Sequence, residues 1–537
     1  MPPEPNSNHG TVNRCLNANS AIALTLVGAM LAQAGCAVGP RYKKPATNVN
    51  QSWSVSNGSQ ITAQRAADGA WWKTFNDPTL ERLIQSAYSQ NLPLQVAGLR
   101  IMEARAVLGI AVGNQYPQLQ QAFANVRRIK LSQNVANNAN FVRDFWDEQI
   151  GFDVSWEADF WRKYAKGVKA EQAMYMSSVA DYQDALVSLS AEVARTYTAV
   201  RTFEALIEQG RRNVRVQEEA LRIADARFRN GATSELDVTQ ARTLLESTRA
   251  SIPQLEISLA QSLNALSTLL GQPTGSLQSL LQEPQPIPAA PAQVAVSIPA
   301  EVLRRRPDIR SAELVAVAQS ERIGIAKAEL YPRFVLSGTL GFQATQNGTS
   351  ANLFNPSSFF GAVGPQVTWP FFNYGRIKNR VRVEDARFQQ VLVTYQNSVL
   401  NASREVEDGI VGFLKTTEAT SAQQDAVTAA RRSLELAVIQ YREGAVDFQR
   451  VLDAERSQLQ EENNLVRLRS SAATNVISLY KALGGGWEMS VGQPFVNSAT
   501  RIEMEKRTNW GNYFSTQPAT SSSKKSPSSS EPPPPMR

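Results

Sequence analysis

The chain has 537 residues, 42% of them hydrophobic, with a mean hydropathy of −0.29 and a formal charge of +7. That length suggests roughly two to four domains, and that hydropathy excludes a protein built of many membrane helices. The single histidine, His9, and both cysteines, Cys15 and Cys36, lie near the N-terminus, so the body of the chain holds no Ser-His-Asp, Cys-His or histidine-metal chemistry.

In chain order, the first feature is the apolar stretch Ala21 to Ala32, which is too short to span a bilayer. It follows a sparse leader carrying Arg14 and runs into Gln33-Ala34-Gly35-Cys36, the form of a secretory signal peptide; a buried helix is the alternative reading. Cleavage before Cys36 removes Arg14 and Glu4 together, so the mature chain keeps its charge of +7. One remaining cysteine excludes an intramolecular disulfide. A small residue before Cys36 instead has the form of a bacterial lipobox, in which the thiol takes a diacylglycerol and the new N-terminus an acyl chain. Gln33 departs from it, standing where an aliphatic residue is usual. The mild positive excess forms no basic stripe and does not point to nucleic acid.

The remainder divides into an extended N-terminal segment (36–77), a first structural unit (78–282), a proline-rich linker (283–298), a second unit (299–486) and a C-terminal segment (487–537) whose Ser/Lys/Pro end is expected to be disordered. The units are one pattern written twice. Phe228-Arg229-Asn230-Gly231-Ala232 recurs as Tyr441-Arg442-Glu443-Gly444-Ala445, an offset of about 213 residues. Glu192-Val193 falls on Glu405-Val406 at the same offset, and Tyr116-Pro117 and Tyr331-Pro332 match about two residues further apart.

Each unit reads helix, strand, strand, long helix, helix. The first helix is expected to end at Tyr116-Pro117 or Tyr331-Pro332, where proline stops it. Ile150, Phe152, Val154, Trp156, Ala158 and Phe160 then alternate with Gly151, Asp153, Ser155, Glu157 and Asp159, a strand with one apolar and one polar face. Phe334, Leu336, Leu340 and Phe342 keep one parity, and Val363, Val367, Trp369 and Phe371 mark another strand. Further on, Phe388, Val391, Tyr395, Val399, Ala402, Val406, Ile410 and Phe413 fall at steps of three and four, a coiled-coil seam. No proline interrupts Arg376 to Arg442, roughly 67 residues and about 100 Å if helical, and Lys163 to Arg229 is its counterpart. Gly231 and Gly444 supply the hairpin turns, Ser234 and Asp447 the caps of the returning helices, and Pro253 a kink in the first of these.

Four strands cannot close a membrane barrel, and an open sheet in lipid leaves edge amides unsatisfied, so several chains must pool their strands. Trp146, Trp156, Trp161, Trp369 and Phe371 near strand ends suit bilayer interfaces. A small soluble sheet on an exported coiled-coil scaffold without a pore is the alternative class, and an enzyme using carboxylates alone is the third. Fractionation separates them, since a scaffold washes off membranes.

The motifs resemble the TolC-like outer membrane efflux channels, in particular the OprM-type lipoprotein branch, over nearly all of Cys36 to Trp487. They are Gly35-Cys36-Ala37-Val38-Gly39-Pro40-x-Tyr42, Trp71-Trp72 with Phe75-x-Asp77-Pro78-x-Leu80, Arg304-Arg305-Arg306-Pro307-Asp308-Ile309-Arg310, Glu405-Val406-Glu407-Asp408, Val451-Leu452-Asp453-Ala454 and Ala482-Leu483-Gly484-Gly485-Gly486-Trp487. The resemblance implies an α+β membrane and periplasmic fold. Three chains would form a twelve-stranded β-barrel in the outer membrane on a twelve-helix α-barrel, with a mixed equatorial collar. It implies a periplasmic adaptor, an inner-membrane pump of the resistance-nodulation-division type and outer membrane lipid as partners, and no chemistry or cofactor beyond lipid on Cys36. Asp453 matches a constricting aspartate at the periplasmic aperture, with Gln449, Arg450 and Arg456 around it, and Asp237 and Tyr441 match partners in a latch between helix pairs. Arg450 stands where some members carry a second aspartate and Val446 where some carry the latch arginine, which implies a less cation-selective, differently latched aperture.

Overall fold

The computed structural model describes residues 38–46, 50–54, 60–62, 68–134, 142–279, 281, 284–297, 299–346 and 352–514; the leader, Cys36 and the Ser/Pro-rich end lie outside them. A two-residue strand β1 (Ile61–Thr62) precedes helices α1 (Pro78–Gln90) and α2 (Leu92–Gly113), strands β2 (Leu119–Lys130) and β3 (Asp144–Ala158), and helices α3 (Lys163–Arg229) and α4 (Glu235–Leu269). After strand β4 (Val294–Ala295) the second unit runs α5 (Pro299–Arg305), α6 (Pro307–Ala328), β5 (Arg333–Gln346), β6 (Phe359–Thr368), α7 (Arg376–Arg442) and α8 (Phe448–Ala482), and a short helix α9 (Ser498–Arg507) follows.

The duplication holds to the residue. Both long helices have 67 residues and both returning helices 35. Every boundary of these four helices is displaced by the same 213 positions, 163 to 376 and 269 to 482 alike. At these helix ends left-handed glycines, Gly231 and Gly444 at one end and Gly271 and Gly484 at the other, let the chain turn back.

The four long strands form one antiparallel sheet in the order β2-β3-β5-β6. Register sorts its side chains into two environments. Phe152 pairs with Leu340 and Ala122, Ile150 with Phe342, and Phe342 in turn with Phe359, so the even positions of β3 and β5 make an apolar face. That face is bare in the single chain, with Phe152 59% and Val363 81% exposed. Across the sheet lie Gln121, Asp153 and Thr339, paired with one another, and Asp147 held by Arg127 at 2.8 Å and Gln343 at 2.9 Å. Within the described residues β2 and β6 have no strand on their outer sides, so both edges of the sheet are open.

At the helical end of the strands Trp161 Nε1 donates to the Pro332 carbonyl at 2.8 Å and Trp369 Nε1 to Leu330 at 3.0 Å. Apolar rings with anchored polar tips form a belt there. The largest core lies partway down the helices, where Trp71, Trp72 and Phe75 pack among α1, α3, α7 and α8, with Tyr197, Phe413 and Tyr480 inside. There β1 pairs with β4, which ties the N-terminal segment to the proline-rich linker as a collar.

Several local expectations are corrected. The first helix of each unit is two helices. Asn91 breaks the first by accepting from Leu94 N and donating to the Leu269 carbonyl, both at 2.8 Å, while Pro307 forces the break at Arg306. These helices end at Gly113 and Ala328, short of the Tyr-Pro pairs. Pro253 lies inside α4, which continues on both sides of it. Asp447 caps α8 through Arg450 N at 3.3 Å, but Ser234 makes no side-chain cap to α4, whose first turn carries Glu235 and Asp237 instead. Trp369 and Phe371 lie beyond β6, which stops at Thr368 ahead of Pro370. Of the coiled-coil seam, Tyr395, Val399, Ala402, Val406, Ile410 and Phe413 are buried, and Phe388 and Val391 only half-buried.

Candidate functional site at the hairpin turns

The two hairpins meet at their turns, far from the sheet. Gly231 at φ +72° and Gly444 at φ +74° each end a long helix. Ala232 N then bonds the Arg227 carbonyl at 2.8 Å, and Ala445 N bonds that of Gln440 at 2.9 Å. Ala224, Val238, Ala241 and Leu244 of the first hairpin pack against Leu434, Tyr441, Phe448, Val451 and Leu452 of the second, a small core separate from the collar.

Asp237 and Tyr441, expected as latch partners, are brought together here. Tyr441 is only 3% exposed, its ring 5.2 Å from that of Phe448. Burial pushes its pKa up, and the nearby Asp237 carboxylate adds to the rise. Thr233 and Asp237 lie near enough to act on the hydroxyl, yet it makes no hydrogen bond of proper geometry, and Asp237 accepts from Thr233 instead.

Asp453 lies where its helix faces solvent. Gln449, Arg450, Asp453 and Arg456, three or four residues apart, form one exposed stripe, with Val451, Leu452, Ala454 and Glu455 behind it. Gln449 Nε2 donates to Asp453 Oδ1 at 2.8 Å. The four aperture candidates therefore share a face, and two guanidinium groups flank the single carboxylate.

Sequence reasoning missed two residues of this site. Arg227, in the last turn of α3, reaches across to the end of α7. Its guanidinium lies over the Tyr441 ring, 4.5 Å from the centroid, and donates to the Tyr441 carbonyl. The repeat at the turns begins at Phe228, one residue after it, and so carries no signal for Arg227. Glu455 is the second, a carboxyl only 5% exposed whose Oε1 has no hydrogen-bond partner. Burial raises its pKa to about 7. Only its place on the apolar side of α8, in step with Val451 and Leu452, distinguished it in the sequence.

Above the turns a polar seam joins α3 to α8. Arg195 Nη2 meets Ser478 Oγ at 3.0 Å, Thr202 Oγ1 meets Ser470 Oγ at 2.8 Å, and Gln209 bonds Glu462, which Arg431 also holds at 2.6 Å. Among the described residues no helix is long and apolar enough to cross a membrane, and no group of three or more His, Cys, Asp or Glu is placed to hold a metal.

A family model described as outer membrane efflux protein matches residues 83–272 and 298–485, which are the two structural units. The cation efflux system protein CusC of Escherichia coli O6:H1 is 30% identical over 462 residues, 85% of this chain and 97% of that protein. The solvent efflux pump outer membrane protein SrpC of Pseudomonas putida is 29% identical over 469 residues, 86% of this chain and 98% of its own. Among solved structures, the outer-membrane channel OprN superposes with a TM-score of 0.79 at 30% identity, covering 84% of this chain and all of that one.

Proposed function

From the premise that this chain belongs to the outer membrane efflux protein family, we infer how its own residues make and close a conduit. The protein is the outer membrane channel of a tripartite efflux system, working with a periplasmic adaptor and an inner-membrane pump of the resistance-nodulation-division type. Three copies join the open edges of β2 and β6 into a twelve-stranded barrel, and their hairpins form a twelve-helix barrel across the periplasm. The observation that carries this reading is an open sheet with one bare apolar and one polar face, continued by hairpins too long for a compact core. Transport through it needs no reaction, only a wet lumen. One relative is named for cations and another for solvents, so we assign substrate choice to the pump and not to the channel wall.

The aperture is proposed at the exposed stripe of α8, where three copies of Asp453 converge between Arg450 and Arg456. The lipid is proposed on Cys36. Its support is the path of the nearest described residues: Gly39 lies against Gly324 and Lys166, close to where α3 leaves the sheet. Cys36 stands three residues before Gly39 in the sequence, a span of at most about 10 Å. The mass of the purified mature protein should exceed that of its polypeptide by a diacylglycerol and an acyl chain; an unmodified Cys36 thiol removes the anchor.

Single-channel recording of detergent-purified trimers tests the conduit and the gate together. Asp453→Ala should conduct more than the parent at every voltage, and unchanged current would move the aperture elsewhere. Protein that washes off membranes and forms no pores in any variant would leave the poreless scaffold. The same recordings carry a pH dependence. A carboxyl whose packed-state value of about 7 exceeds its free value of 4.5 favours the packed state below the lower value. It loses that contribution as pH rises through the upper one. The closed turns should therefore leak more at pH 8 than at pH 5, and Glu455→Gln should flatten the difference.

A further inference from the structure

We propose that Arg227 is the latch of this channel, a cation supplied by the first hairpin that clamps the end of the second and holds the aperture shut. This rests on the gate reading above and adds a positioning residue that the family resemblance did not supply, since Val446 occupies the place from which other members offer an arginine.

The geometry joins four contacts in one side chain. The guanidinium carbon stands 4.5 Å from the Tyr441 ring centroid, a cation–π contact. Nη1 donates to the Tyr441 carbonyl and lies 3.5 Å from that of Arg442, while Nη2 lies 3.5 Å from the Ala232 carbonyl in its own turn. Tyr441 and Arg442 are the last residues of α7, where the helix dipole presents its negative end; the Tyr441 carbonyl accepts from Gly444 N at 3.0 Å and offers its second lone pair to the guanidinium. A planar fork of donors satisfies such carbonyls better than an ammonium point charge. Its Nε is buried with no acceptor, so the hold on the second hairpin comes from carbonyls and ring, and among the described residues no carboxylate forms an ion pair with it that acid could neutralise.

The position also decides what the contact does. Arg227 is on α3, and Tyr441 and Arg442, whose carbonyls it meets through Nη1, are on α7, so this contact bridges the two hairpins and must break if one turn swings away from the other. It is reinforced nearby by Arg442 reaching back to Glu219 of α3 at 3.7 Å. Gly444 lies beneath the clamp: a Cβ there would stand 3.7 Å from Nη2, within ordinary contact. A side chain there would not displace the guanidinium, so it is the left-handed backbone of the turn that calls for glycine.

The test records purified trimers of the parent, Arg227→Ala, Arg227→Lys, Asp453→Ala and the double variant Arg227→Ala/Val446→Arg. Loss of charge-assisted bonds at one contact should shift the open-to-closed ratio by about tenfold, seen as a higher mean current in Arg227→Ala. Arg227→Lys should fall between it and the parent. The double variant should close again, because the cation returns from the other side of the same interface; a merely structural defect would not be rescued this way. Arg227→Ala trimers as tight as the parent, while Asp453→Ala conducts, would overturn the latch and spare the gate. If neither conducts, the gate reading fails and the latch with it. Should Arg227→Ala yield no trimer, Tyr441→Leu, which removes the ring and keeps the carbonyl, must raise the current for the proposal to stand.

Discussion

Phe152→Arg is expected to remove the trimer from the outer membrane, while Thr339→Arg, one strand away, leaves it in place. Phe152 sits mid-strand, paired with Leu340 and Ala122, and is largely exposed in the single chain. In the barrel that exposure is to lipid. An arginine near the bilayer midplane costs about 2–4 kcal/mol per chain, and threefold symmetry imposes it three times. Thr339 pairs with Asp153 on the polar face, where an arginine meets water and a carboxylate. Fractionation followed by unheated gel electrophoresis should show the trimer band lost at least tenfold in the first variant and kept in the second. Equal recovery of both would mean that the even-numbered face does not meet lipid.

The second large effect is expected from Arg306→Met, at the centre of the Arg-Arg-Arg-Pro-Asp-Ile-Arg motif. Arg306 is 8% exposed, and all three of its guanidinium nitrogens are engaged. Nε and Nη2 hold Asp308 at 3.0 and 2.8 Å, and Nη1 reaches Glu405 at 2.8 Å and the Ala482 carbonyl at 2.9 Å. One side chain thus fastens the α5–α6 break to α7 and to the end of α8. Removing it takes the cation from Asp308 and Glu405, whose side chains are 32% and 46% exposed and partly solvated, and takes a buried donor from the Ala482 carbonyl; at a cost on the order of 1–3 kcal/mol a drop in trimer melting temperature should follow. Methionine fills the volume, so a cavity is not the cause.

Asp184 gives this loss a pH signature. Burial, then the charge of Asp308, raises its pKa to about 6 from 3.8, while Arg306 pulls it down. Its folded value exceeds its unfolded one, so its contribution is fully present below about pH 4 and is lost as pH rises through 6. Without Arg306 the folded value climbs and the window widens upward. Mild acid should restore part of the melting temperature of Arg306→Met; a variant equally weak at pH 5 and pH 8 would count against this network.

Period and punctuation carried most of the fold. The alternation from Ile150 to Ala158 located the sheet and its two faces, and absence of proline from Arg376 to Arg442 gave a helix of that length. Elements set by tertiary contact were not legible. Asn91 divides what reads as one helix because its amide reaches Leu269, far along the chain. Trp369 continues the alternating pattern but leaves the strand, since Pro370 follows and its indole is tied to Leu330. Helix α9 has too little periodicity to stand out and is placed by Met504 entering the collar core. At the turns Asp453 and its neighbours were named by the family resemblance, and their shared exposed face became visible only in the structure. Arg227 could not be read from the sequence, because its partners are main-chain carbonyls and an aromatic ring, which leave no complementary charge in the sequence.

The identical lengths of the paired helices have a consequence for symmetry. Two hairpins that begin at matching positions and run for the same number of residues end at the same depth, so each chain offers two turns at one level. The assembly is threefold by its chains but presents six near-equivalent loops to whatever approaches from the cell interior. A partner arranged as a six-membered ring can therefore address every turn with one repeated contact, and lengthening a single long helix by one residue would put three of the six out of line.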